Sequence, residues 1–123
     1  MKAFLLLLML LSPRLAGAEP TAYIVVQHSA VAGFRHYGGD AVWDDMRVGD
    51  ALQLAPDRDN VHDPHAVRVE WRGRTIGYVP RGQNSHLARQ LGHGAPLQAR
   101  VSRLEKSRNG RKRVSYVVFV PLE

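Results

Sequence analysis

Three groups of side chains in this sequence are of types that can do chemistry together: Arg35-His36-Tyr37, then Asn60-Val61-His62-Asp63, then Tyr78 with Arg81. A carboxylate such as Asp63 accepts a hydrogen bond from a hydroxyl and repels a phosphate, so it distinguishes a hydroxyl end from a phosphorylated one. Guanidinium groups such as those of Arg35 and Arg81 match phosphate geometry. Rings offer faces on which bases stack with little regard to sequence. Each residue also has a plainer use. Asp63 precedes Pro64, where aspartate commonly bonds nearby amides to shape a turn. Tyr78 suits a strand core, and Arg35 and Arg81 suit an ordinary charged surface.

Other chemistries are less well served. His62-x-x-His65 is a pair of metal ligands, but a structural zinc site takes four good ligands, often with cysteine, and this chain has none. Catalysis by a nucleophile needs a base and an orienting group beside it, and no such constellation stands out. No Walker-type Gly-Lys-Ser/Thr occurs. The sequence reads as a binding module, without a catalytic residue or a required cofactor.

Basic charge is concentrated near the C-terminus. Arg100, Arg103, Lys106, Arg108, Arg111, Lys112 and Arg113 fall within fourteen positions. Such a patch suits a polyanion, whether nucleic acid, anionic lipid headgroups or cell-envelope polymers. The alternative is a well-solvated hairpin tip.

The elements that must position these groups are mostly short strands. Residues 1–18 stand apart: Lys2, an apolar run from Ala3 to Leu11 and Ala16-Gly17-Ala18 form a cleavable export signal, too short to span a bilayer. The expected mature protein is residues 19–123, periplasmic or secreted, with no membrane anchor after cleavage. Losing Lys2 and Arg14 leaves 15 positive side chains against 11 acids, a net +4. The lack of cysteine excludes disulfides and a lipoprotein anchor.

Thr21 to His28 is β-branched and aromatic, a strand. Phe34 to Tyr37 reads as a second extended piece, broken by Gly38-Gly39. Trp43, Met46 and Val48 are expected to cap one end of a barrel, and Ala51 to Leu54 alternates as a strand. Pro56 to Pro64 is a polar loop whose residues bond their own backbone or lock φ. Val67, Val69 and Trp71 alternate with charged residues, and Thr75 to Val79 returns after a turn at Arg72-Gly73-Arg74. Ser85 to Leu91 is helical, with Asn84 or Ser85 capping it and Gly92 ending it. A basic hairpin over 97–120 follows. Leu97, Ala99 and Val101 face inward, Asn109-Gly110 turns with both residues at positive φ, and Val114 to Val120 returns as a central strand. The expected fold is mainly β: a small, partly open β-barrel of SH3/OB-like form with one short helix.

The pattern L-x-x-D-x-D-N-x-H-D-P-x-A-V-x-V from Leu54 to Val69, followed by Ile76-Gly77-Tyr78-Val79-Pro80-Arg81, resembles the HIRAN domain. The likeness covers about residues 22–105, and Asn84 to Val101 is similar to the bacterial form. This family is a small β-barrel module found at the start of Swi/Snf-type helicases and alone in short bacterial proteins. The resemblance implies a pocket for the 3′ end of single-stranded DNA. In it Asp63 takes the terminal hydroxyl with Asn60 beside it, His36 and His62 flank the last base, and Arg35, Tyr78 and Arg81 bond phosphates. It also implies a non-enzymatic module, since the accompanying ATPase is not in this chain. The sequence departs from the family at Pro56-Asp57-Arg58, at Val61, and at His36 and His62, which stand where tyrosines are common. Two further readings stand beside this one: an exported adaptor for a protein terminus or envelope polyanion, and a zinc-binding domain with cryptic hydrolase activity on His62 and His65.

Overall fold

Strict alternation shapes β3 (Val67–Trp71). Val67 and Val69 are fully buried and Trp71 nearly so, while Arg68 and Glu70 are half-exposed and ion-paired to each other at 3.1 Å. A strand with one wet face carries this period-2 pattern. The structure is a computed structural model and describes residues 22–122. The export signal read over residues 1–18 lies outside the described residues. Among the described residues no helix is long and apolar enough to cross a membrane.

Six antiparallel strands form one sheet in the order β1-β6-β5-β2-β3-β4, where β1 is Tyr23–Ala30, β2 Ala51–Pro56, β4 Arg74–Tyr78, β5 Gln98–Lys106 and β6 Lys112–Pro121. Register breaks between Val25 and Gln27 in β1 and between Val101 and Arg103 in β5. Bulges of this kind bend the strand and deepen its twist, so the sheet curls. Its two edges meet at one point, where Ala32, just past β1, exchanges backbone hydrogen bonds with Tyr78 at 2.8 and 2.9 Å. The result is the expected mainly β, partly open barrel. Helix α2 (Ser85–Gly92) plugs it with Leu87, fully buried, and with Ala88 and Leu91 packed beside it.

Several local expectations are corrected. Phe34–Tyr37 is a 3₁₀ turn, not an extended piece. Gly33 and Gly38 flank it at φ 77° and 82°, a region glycine enters without penalty, and the reversal sends Phe34 into the core edge-on to Trp43. A second short helix follows, α1 (Gly39–Val42), so the described residues hold two α-helices where one was expected. Val48 is 63% exposed and caps nothing, whereas Met46 is buried as expected. The mirror-type hairpin turn lies at Arg72-Gly73, both at positive φ (48° and 81°), not at Asn109-Gly110, where Gly110 alone is positive. The loop at Asn109 is longer: the Asn109 side chain accepts from the Arg111 amide at 3.0 Å and so shapes it without the left-handed conformation.

Candidate nucleic-acid interface

The loop between β2 and β3 is rigid because its own side chains satisfy its backbone. Asn60 Oδ1 accepts from the amides of His62 (2.9 Å) and Asp63 (3.0 Å), and Asp63 Oδ1 accepts from the amide of His65 (2.9 Å). The Asp57 amide donates to the Ala66 carbonyl at 2.8 Å and closes the base of the loop. These are the turn-forming roles expected of Asn and Asp there.

The loop's far side faces the 3₁₀ turn at Arg81–Gln83 and the start of α2. Asn84 is almost completely buried, and its Nδ2 donates to Asp63 Oδ2 at 2.8 Å. Arg81 Nε lies 3.6 Å from the same oxygen, and its Nη2 donates to the His62 carbonyl. The His65 amide first, then the Asn84 amide and the Arg81 charge, hold the Asp63 carboxyl below the usual aspartate range against the opposing effect of burial. Asp63 is therefore an ionised acceptor fixed by its neighbours. Arg81 remains largely exposed, with N–H groups to spare.

Across from Asp63 stand two aromatic rings. Tyr37 is about half exposed and meets Tyr78 edge-to-face, centroids 5.3 Å apart. Gly33 allows this, since a Cβ there would lie 2.9 Å from the Tyr37 ring. The Tyr78 hydroxyl donates to Asp57 Oδ2 at 2.8 Å, and this bond with burial and the Asp57 charge pushes the phenol up to about 12. In this arrangement the Tyr78 proton points to Asp57, and Tyr78 lines the cavity beside Tyr37.

Together His36, Tyr37, Asn60, His62, Asp63, Tyr78 and Arg81 line one cavity of about 470 Å³. Seven of the eight side chains singled out from sequence converge there. Arg35 does not, because the 3₁₀ turn directs it to a neighbouring cavity of about 540 Å³. Sequence reading missed two members of the site. Asn84 looked like a helix cap, yet α2 has no side-chain cap bond and the amide serves Asp63 instead. Asp57 was only one polar loop residue among several, and its tie to Tyr78 spans 21 positions that no local pattern reveals.

The basic segment does not form one surface. Strand alternation sends Arg103 and Arg113 to the outer face, where Arg103 pairs with Glu105 at 3.1 Å. Arg100 covers the Tyr23 and Phe119 rings at 5.0 and 4.6 Å. Lys106 and Arg108 are exposed beside the hairpin tip, whereas Arg111 and Lys112 turn toward the cavity that Arg35 lines. Among the described residues no three of His, Cys, Asp and Glu gather as metal ligands, so His62 and His65 find no third partner.

Residues 24–123 match the HIRAN domain family. The chain belongs to that family. HIRAN domains are DNA-binding modules. Two solved structures share the fold of this HIRAN domain. A protein from Lactobacillus plantarum is 24% identical with a TM-score of 0.66, the match covering 80% of this chain and 97% of that one. The HIRAN domain of human HLTF is 17% identical with a TM-score of 0.59, covering 80% of each chain. No sequence among curated proteins matches this one.

Proposed function

We propose that this HIRAN domain binds nucleic acid and that its Asp63 cavity takes the 3′-hydroxyl end of a single DNA strand. One observation carries the reading: a fixed, ionised carboxylate, an open tyrosine face and an exposed guanidinium share one cavity of about 470 Å³. Few ligands need all three. A terminal nucleotide does, with a hydroxyl to donate to Asp63, a base to stack on Tyr37 and a phosphate for Arg81. The cavity lies in the size range of small-ligand sites, about 300–1,000 Å³.

The carboxylate supplies the discrimination. A 3′-phosphate brings negative charge to a site that already holds one, and it has no proton to donate at neutral pH. Fluorescence anisotropy of the protein with short labelled single strands, ending in 3′-hydroxyl or 3′-phosphate, tests this at about 0.1 M salt, where distant charges are screened. The hydroxyl strand is expected to bind roughly tenfold tighter, equivalent to one charge-assisted hydrogen bond. In Asp63→Asn the two strands are expected to bind alike. Equal binding to both strands by the unaltered protein refutes the end-binding reading.

A further inference from the structure

The two cavities are neighbours, and Gly33 and His36 line both. The second lies between the Phe34–Tyr37 turn and the tip of the β5–β6 hairpin. Its charge is one-sided. Asp40 is its acid, and Lys112 neutralises it at 3.1 Å. That leaves the guanidinium groups of Arg35 and Arg111, neither of which has an ion pair among the described residues. Asn109 adds a donor: its Oδ1 is occupied by the Arg111 amide and the Ser107 hydroxyl, so its –NH₂ group is available. Two uncompensated guanidiniums and an amide, in a cavity that shares Gly33 and His36 with the end site, form a place for an anion within reach of an extended ligand.

We propose that a strand whose end sits at Asp63 continues over Gly33 and His36 into this cavity, where Arg111 and Arg35 hold an internal phosphodiester. The inference rests on the end-binding reading and adds a phosphate subsite built by the hairpin tip. It divides the basic hairpin by function. Arg111 belongs to the track, and Arg103 and Arg113, on the outer face, do not. General attraction by a basic tip, with no fixed path for the strand, would make these arginines contribute alike, since neither would have a defined phosphate to contact.

A length series separates the cases. Oligothymidylates with 3′-hydroxyl ends, from dinucleotide to octanucleotide, are titrated against the full chain and against Arg111→Ala and Arg113→Ala. The expected result is that Arg111→Ala weakens the octanucleotide roughly tenfold and lowers its salt slope by about 0.7, the share of one phosphate contact on a single strand. The dinucleotide, too short to leave the end site, is expected to bind Arg111→Ala as it binds the unaltered protein. Arg113→Ala is expected to change neither. Equal losses in the two variants, or an Arg111→Ala loss as large for the dinucleotide as for the octanucleotide, overturn the proposal. A 3′-phosphate octanucleotide run beside them tells the two readings apart. Hydroxyl preference with no length-dependent loss in Arg111→Ala refutes the subsite alone. Loss of the preference with the Arg111 effect intact refutes end capture and leaves the phosphate subsite standing.

Discussion

Gly77→Ala tests whether the meeting of the sheet's edges holds the site together. Gly77 sits at φ +152°, opposite Val69 in the ladder, and a Cβ there would run into the Ala32 carbonyl oxygen and a Val31 methyl. The Ala32 atoms are backbone, and they belong to the segment that bridges to Tyr78. The Ala32 carbonyl cannot rotate away as the Val31 side chain could. Backbone strain at such a φ costs about 1–3 kcal/mol, and forcing packed groups apart adds roughly 1–3 kcal/mol. Against this, alanine stiffens the unfolded chain and returns about 0.4–1 kcal/mol. The net loss is roughly 1–6 kcal/mol, a sizeable part of the 5–15 kcal/mol that holds a domain of this size. Urea denaturation followed by tryptophan fluorescence reads it directly, through Trp71 and Trp43. The reasoning has a second consequence. The bridge carries Tyr78 and, through Gly33, Tyr37, so DNA binding is expected to fall at urea concentrations where the protein is still folded. A stability change under about 1 kcal/mol, the usual size for an unremarkable substitution, would mean that the contact at Ala32 yields freely and that closure does not organise the site.

Two further outcomes follow from single residues. Asp63 has a folded-state pKa below the ordinary 3.8; its ionised form is favoured by folding, so its contribution to stability is present above pH 3.8 and lost as pH falls through the lowered folded value. An NMR titration of the Asp63 carboxyl is expected to give a midpoint below 3.8 that rises in Asn84→Ala, and a midpoint at or above 3.8 in the unaltered protein refutes the assignment of its partners. Arg72 holds φ 48° in the β3–β4 turn, a conformation costing a side chain about 1–2 kcal/mol, while its guanidinium lies 4.4 Å from the Trp71 ring, a contact contributing about 0.5–1 kcal/mol. Backbone relief outweighs the lost contact, so Arg72→Asn is expected to raise Tm by about 2–4 °C in calorimetry, and a fall in Tm would show the cation–π contact to be the stronger.

Legibility in the sequence tracked the range of the interaction. Val67, Val69 and Trp71 could be placed inside because period-2 alternation is a local pattern, and Leu87 because helical spacing is. The Asn60–Asp63 turn was readable because each of its bonds closes within three residues. Phe34–Tyr37 was misread because an aromatic, a cation, a ring and another ring look extended when taken alone. What curls them is the positive φ of the glycines on either side, which sequence permits but does not require. The mirror-type turn expected at Asn109-Gly110 does not form for a related reason. Asparagine lowers the cost of a mirror turn, but loop length decides whether one forms, and the ladder ends at Lys106 and Lys112 leave five residues to connect. The contacts of Asn84 with Asp63 and of Tyr78 with Asp57 each join residues 21 positions apart. They follow from strand order, which no local motif encodes.

Asp63 has two tasks, and the substitution chosen to probe it decides what is learned. One oxygen holds the His65 amide and shapes the loop, and the other is held by Asn84 and Arg81 on the cavity side. Asp63→Ala removes both. It leaves the Asn84 amide buried without its partner, and an unsatisfied buried donor costs about 1–3 kcal/mol by itself. Any loss of DNA binding in that variant confounds a damaged loop with a missing acceptor. Asp63→Asn separates them. The side-chain carbonyl still accepts from the His65 amide, and a half-turn of the Asn84 amide presents its oxygen to the new –NH₂ group, so the loop keeps its bonds. The negative charge alone is gone. If Asp63 only shapes the loop, Asp63→Asn binds every strand as before. If its charge reads the end, the variant accepts the 3′-phosphate strand as readily as the 3′-hydroxyl one. The gain of binding to the phosphate strand is the decisive observation, because a loop that has lost its shape does not acquire a ligand.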